Sequence, residues 1–182
     1  MIAEIIAAGS EMLTPFRQDT NSLFLTARLN ELGVAVAFKT IVGDNLDHLT
    51  SAAKIAIARA DIVIFSGGLG PTEDDLTREA VAEALGVGLR RDMDILTGMY
   101  KRFASRRMSM PQNNVRQADV LEGAEVLENV NGSAPGQFID TVGWKFVGDL
   151  RRHQSLPAEG LVAPRQQRAS EQASEPAQSG HG

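Results

Sequence analysis

Three short apolar runs near the start of this chain, each closed by a glycine-bearing polar loop and each followed by a segment of helical period, constrain its fold more than anything else. Ile2 to Ala8 ends at Gly9-Ser10-Glu11, Val34 to Val42 ends at Gly43-Asp44-Asn45, and Ile62 to Phe65 runs into Ser66-Gly67-Gly68-Leu69-Gly70. Thr20 to Leu32 places Leu25, Leu29 and Leu32 on one helical face and stops at Gly33. The segment after Asn45 carries Leu46, Leu49, Ala53 and Ile57 at spacings of three and four, and Leu76 to Leu85 stops at Gly86. Apolar runs alternating with 3.6-period segments form βα units. Repeated βα units give a parallel sheet with right-handed crossovers and helices on both faces. Ligands of such sheets bind outside the carboxyl ends of the strands. All three loops gather on that edge, which locates a candidate site from the residues alone.

The middle of the chain is less regular. Asp92 can cap a helix reaching Arg106 with Leu96, Tyr100 and Phe103 inward, and Pro111 can open a short helix through Ala118. Strands are expected at Ala124 to Leu127 and Gly136 to Ile139, flanking a turn at Asn129 to Ser133. From about Arg151 the sequence has no aromatic residue and is rich in Gln, Ser, Ala, Arg and Glu. Such a segment buries too little apolar surface to offset its chain entropy. The expectation is one domain over residues 1–147 and a disordered tail over 148–182.

Composition narrows the function. The net charge of −5 argues against a general nucleic-acid binder, which presents a basic surface. No apolar run is long enough to span a bilayer, and the N-terminus carries Glu4 inside its apolar stretch and has no basic region before it, so it forms a strand rather than a signal peptide. The absence of cysteine excludes thiolate catalysis and fits a cytoplasmic location.

The third loop carries the most chemistry. Gly67, Gly68, Leu69 and Gly70 precede a helix, so glycine backbone and helix dipole together attract an anion. The loop is neither a dinucleotide fingerprint nor a Walker A motif, since Glu73 stands where a third glycine would be and no Gly-Lys-Ser/Thr occurs. The alternative is a tight strand–helix turn. Asp74 and Asp75 either cap the following helix or face a bound phosphate through a divalent cation. Asp44 and Glu11 carry the same two readings, whereas Asp19 and Asn21 begin the first helix. Gln112-Asn113-Asn114 with Arg116-Gln117 concentrates donors around a short helix, and Asn131 to Gly136 can form a hairpin turn. His48 falls on a surface helix and His153 and His181 in the tail, which argues against histidine chemistry.

GSEML with DTN, VGDN, SGGLGPTEDDLTREAVAEALG, MPQNNVRQA and NGSAPG, in that order, resemble the N-terminal domain of the CinA (competence/damage-inducible protein A) family. That domain shares the molybdopterin-binding fold of MoaB and MogA proteins, and the match runs from about Met1 to Lys145. The resemblance implies a three-layer α/β/α domain with a mostly parallel doubly wound sheet, often a homo-oligomer. It implies a divalent-metal-dependent ADP-ribose pyrophosphatase, with Mg2+ as the expected metal, giving AMP and ribose 5-phosphate. By motif position, Asp44 and Asp75 carry over as the metal-binding and catalytic acids. Gly67, Gly68, Leu69 and Gly70 carry over as the phosphate turn, and Asn113, Arg116, Gln117, Ser133 and Pro135 as pocket wall, while Asp74 and Glu11 stay ligand-binding candidates from their places in the loops. Two departures stand out. The family's Pro-Gly-x-Pro turn does not follow Trp144-Lys145-Phe146-Val147, so the final strand region is expected to be missing or aberrant, as in a truncated or frameshifted product. The family's C-terminal amidase domain, which deamidates nicotinamide mononucleotide, has no counterpart in these residues. Three functions stay open: a metal-assisted hydrolase, a nucleotide or molybdopterin binding module without turnover, and an inactive remnant.

Overall fold

The computed structural model describes residues 1–127, 129, 134–141 and 144–148. Its first half follows the expected alternation: β1 (Ile2–Ala8), α1 (Thr20–Glu31), β2 (Ala35–Val42), α2 (Leu46–Arg59), β3 (Ile62–Ser66) and α3 (Thr77–Leu85). Then come β4 (Leu89–Arg91), α4 (Met93–Ser105), a 3-10 segment (Gln112–Ala118), β5 (Asp119–Leu121), β6 (Glu125–Leu127), β7 (Gly136–Thr141) and β8 (Trp144–Gly148).

The main sheet runs β2-β1-β3-β8-β7-β6. β2, β1, β3 and β8 pair in parallel, and β7 alone runs against its neighbours. Alternation along β1 explains the three layers, because successive strand side chains point to opposite faces. Ala3 and Ile5 pack with Leu25 and Leu29 of α1 on one face. Ile6 and Ala8 pack with Leu49 and Ala53 of α2 and Ala80 and Val81 of α3 on the other. Phe138 and Ile139 repeat this division on β7. Leu96 and Met99 of α4 form a separate cluster with Val115 and Ala118.

Glu4 interrupts the β1 core yet is only 1% exposed. Arg59, at the end of α2, grips it with two bonds of 2.8 and 2.7 Å, and Thr40 Oγ1 donates a third at 2.7 Å. A buried carboxylate is tolerated when it is paired and hydrogen-bonded in this way. Arg59 also lies 3.8 Å above the Phe38 ring.

Four features differ from the sequence expectations. The strand expected to be missing or aberrant is present: β8 lies between β3 and β7, and Gly148 belongs to it rather than to a tail. β4 and β5 form a small antiparallel sheet that three-residue runs could not announce by period. On α4 the buried stripe is Leu96 with Met99, and Tyr100 is 48% exposed, because the helix packs on the 3-10 segment with its face turned by one residue. Pro111 stands just before the short helix, which is 3-10 rather than α. The expected turn at Asn131-Gly132-Ser133 and residues 149–182 lie outside the described residues.

Candidate functional site

Every residue of β3 is buried, and the strand ends at Ser66 against the next two glycines. Gly67 and Gly68 have φ of 95° and 67°, angles that side chains with a Cβ rarely adopt. A Cβ on Gly67 would sit 2.2 Å from the Ala8 carbonyl oxygen, and one on Gly68 would sit 2.2 Å from Thr77 Oγ1. Thr77 sets the loop. Its hydroxyl donates to the Gly67 carbonyl at 2.9 Å, and its backbone N–H donates to the Gly68 carbonyl at 3.1 Å. Peptide planes are trans and flat, so turning these carbonyls toward α3 turns the N–H groups of Gly68 and Leu69 the opposite way. Consecutive amides directed outward form a concave anion site. No side chain caps α3, whose N-cap is Leu76, so the positive end of the helix adds to that field.

Asp75 does not cap α3. Its Oδ2 instead accepts from the Thr72 N–H at 2.9 Å and the Thr72 hydroxyl at 2.5 Å. Burial works to raise its pKa, but the Thr72 hydroxyl, the Thr72 and Gly70 amides and the Arg78 charge together hold it below the usual carboxylate range. Asp75 thus folds the loop onto itself. Two arginines grip the loop from behind. Arg78, 2% exposed, donates to the Leu69 carbonyl at 3.0 Å and the Gly70 carbonyl at 3.1 Å. Arg116 donates to the Thr72 carbonyl, to the Asp75 carbonyl at 3.2 Å and to Glu79 Oε1 at 2.7 Å. The side chain of Leu69 is buried, so only its main chain faces the site.

The other two loops bond to each other. Asp44 Oδ2 accepts from the Ser10 N–H at 2.7 Å, and the Asp44 N–H donates to Ser10 Oγ at 2.9 Å. Asn45, not Asp44, caps α2 by accepting from the His48 N–H. Glu11 lies in a 3-10 turn over Ser10–Leu13 with its carboxylate folded toward Gly9, where a Cβ would meet it at 2.7 Å. Asp19 caps α1 as expected. Asn21, expected only to begin that helix, also donates to Ser66 Oγ at 2.5 Å and so ties α1 to the end of β3.

Of the remaining candidates, Asp74 and Asn113 are exposed. Gln117 is 2% exposed and accepts from the Asn114 amide at 2.9 Å. Pro135 is buried and lines a separate cavity of about 350 Å³ with Ile95, Met99, Arg102, Val126 and Asn129, to which no glycine-loop residue contributes. Ser133 lies outside the described residues. Arg116 is therefore the wall residue that the structure brings to the loop.

Thr77, Arg78, Thr72, Ser10 and Asn21 are the contacts the sequence reading missed. Arg78 left one signal: it falls on the helical stripe continued by Val81 and Ala82, where an apolar residue is the norm. Among the described residues, no group of three or more His, Cys, Asp or Glu gathers to hold a metal.

A mostly parallel α/β/α sheet with a glycine loop after its third strand is the fold of molybdopterin-binding-type domains. The family model described as "Probable molybdopterin binding domain" matches residues 4–148. The chain belongs to that family, on its CinA-like side. It is 70% identical over 140 residues to a CinA-like protein of Koribacter versatilis, which covers 77% of this chain and 34% of that protein. The chain spans about a third of the length of the curated relatives it matches. A crystal structure of the protein CinA from Thermoplasma acidophilum superposes with a TM-score of 0.75 at 29% identity, covering 94% of this chain and 96% of that one. The molybdopterin biosynthesis enzyme MoaB from Thermus thermophilus shares the fold, with a TM-score of 0.51 at 17% identity over 81% of this chain and 79% of that one. No helix among the described residues is long and apolar enough to cross a membrane.

Proposed function

We propose that this chain binds the diphosphate of a nucleotide such as ADP-ribose on the Gly67–Gly70 loop, and hydrolyses it to AMP and ribose 5-phosphate with magnesium. One observation carries the reading: Thr77 holds the Gly67 and Gly68 carbonyls, which leaves the next two amides directed outward near the start of α3, which no side chain caps. Fixed amides need no reorganisation to receive a phosphate. The donor set fits a magnesium ion whose coordination comes mostly from phosphate oxygens and water, the usual mode for this metal. Asp44 would hold it, since its Oδ1 has no hydrogen-bond partner among the described residues, with Asp75 beside the phosphate. The ion would supply charge neutralisation and a more acidic water. The chain's own residues orient the diphosphate and, through Asp75 and Arg116, keep the loop in shape.

One observation favours a second reading, a nucleotide or pterin binding module without turnover: Asp44 and Asp75 already accept main-chain hydrogens. In either reading the partner is a small molecule rather than nucleic acid, and the cysteine-free sequence supports a cytoplasmic setting. The outer edge of β2, unpaired among the described residues, with Phe38 and Ile41 partly exposed, supports a homo-oligomer. Calorimetric titration with ADP-ribose, with and without magnesium and with AMP assayed afterwards, separates the readings. Magnesium-dependent AMP release supports hydrolysis, and binding without AMP supports the module. No binding under either condition removes both.

A further inference from the structure

We propose that Arg78 is the positioning residue of the phosphate loop and the fixed positive charge behind it, an inference that rests on the loop being a diphosphate site. Arginine is almost never buried to this degree without an acidic partner in contact, because desolvating the guanidinium is costly. Arg78 is 2% exposed, yet both of its terminal nitrogens go to main-chain carbonyls, those of Leu69 and Gly70. Its Nε is buried with no hydrogen-bond partner among the described residues. Glu79, Asp119 and Asp75 favour its charge only from a distance, and Arg116 opposes it.

The second arginine of the loop shows what is unusual about the first. Arg116 also holds loop carbonyls, but its charge meets Glu79 at 2.7 Å and its side chain is 25% exposed. Among the described residues, the charge of Arg78 meets no carboxylate at that range. It lies on the carbonyl side of the loop, next to the Gly67 and Gly68 peptide units whose carbonyls Thr77 holds and whose linked amides face the other way, where an anion would complete it. Its fork also fixes which way the Leu69 and Gly70 carbonyls face. Two consecutive carbonyls, released from Arg78, could rotate toward the ligand and replace attraction with repulsion. The role therefore has two parts: a planar fork that holds two carbonyls, and a charge that acts through the loop without touching ligand.

Lysine keeps the charge and loses the fork, and glutamine loses the charge. The test measures the affinity of the full chain for inorganic pyrophosphate and for ADP-ribose at low and high salt, with melting temperatures alongside, for wild type, Arg78→Lys and Arg78→Gln. Arg78→Lys should bind about tenfold more weakly with a wild-type salt dependence. Arg78→Gln should bind on the order of a hundredfold more weakly, with a flatter salt dependence. If Arg78→Gln fails to fold, a tenfold loss in folded Arg78→Lys supports the inference and wild-type affinity overturns it. Wild-type affinity and salt dependence in both variants overturn it while the loop reading stands. Weaker binding of Arg78→Gln with unchanged salt dependence assigns Arg78 a merely structural role and also overturns it. A wild-type chain that binds neither probe removes the loop reading, and the inference with it.

Discussion

The loop after β3 and the pair of loops after β1 and β2 begin from the same sequence signature, glycine followed by polar residues, and end in opposite hydrogen-bonding states. In the first pair the groups satisfy one another. Ser10 and Asp44 exchange two bonds, one through each backbone N–H, so neither amide is left for a ligand. In the β3 loop the carbonyls are taken up by Thr77, Arg78 and Arg116 from behind. The amides of Gly68 and Leu69 are what remains. Glycine permits such a loop, but the side chains packed behind it decide whether it presents donors.

The largest effect should come from Gly67→Val, because the obstructing atom is the backbone oxygen of Ala8 at 2.2 Å and φ is 95°. Overpacking and left-handed strain together should cost about 3 kcal/mol, read as a lower midpoint in denaturant unfolding. A midpoint equal to wild type would mean that the β3 loop is as free as its neighbours, and the contrast would dissolve. Gly68→Val comes next. Its Cβ meets a side-chain hydroxyl that is already bonded, so binding should suffer more than folding. ADP-ribose affinity should fall more than tenfold, about 1.4 kcal/mol, and full affinity in a folded variant would leave the glycines a role in the turn only.

Acid should act on the β3 loop next. The folded-state pKa of Asp75 lies below its unfolded value, so its contribution is complete above about 4, the ordinary aspartate value. As pH falls through that value, the unfolded chain takes up its proton first and the contribution drains away until Asp75 itself is protonated. Asp75→Asn should weaken this acid-side loss in a pH series of melting curves, since the amide keeps no carboxylate to titrate. An unchanged series would show that Asp75 does not brace the loop. The smallest effect belongs to the other side of the comparison. Gly43→Ala has ordinary φ and meets Ser10 Oγ at 3.2 Å, a side chain able to yield a few tenths of an ångström. It should change stability by less than about 1 kcal/mol and leave ADP-ribose affinity unaltered. A large loss of affinity would show that pressing on Ser10 disturbs Asp44 and the metal it is proposed to hold.

Much of the fold was legible because its signals are local. β1 and β3 follow from short apolar runs, broken in β1 only by Glu4, and α1 and α4 from Asp19 and Asp92, which cap as expected. What escaped was set by partners distant in sequence. β8 depends on pairing with β3, which its own five residues could not reveal. Asp44 and Asp75 stand where caps usually stand, and only folding shows that each bonds elsewhere. The site was located by topology and its glycines by type, but its supports were not. Thr77 and Arg78 resemble ordinary first-turn helix residues until the loop is folded over them.

The position of β8 also gives the molecule a schedule. It is the last described strand in the chain and yet lies between β3 and β7, joining the parallel half of the sheet to the antiparallel one. During synthesis β1, β2 and β3 can pair and take their helices, but one side of β3 stays open until residues 144–148 have been made. At ~5–20 residues per second this wait lasts about 4–16 s. Until then the edge of β3, whose end carries the glycine loop, is an unpaired strand beside apolar surface still to be covered, the state most prone to mispairing. Closure of the sheet and completion of the loop's foundation are therefore a single late event.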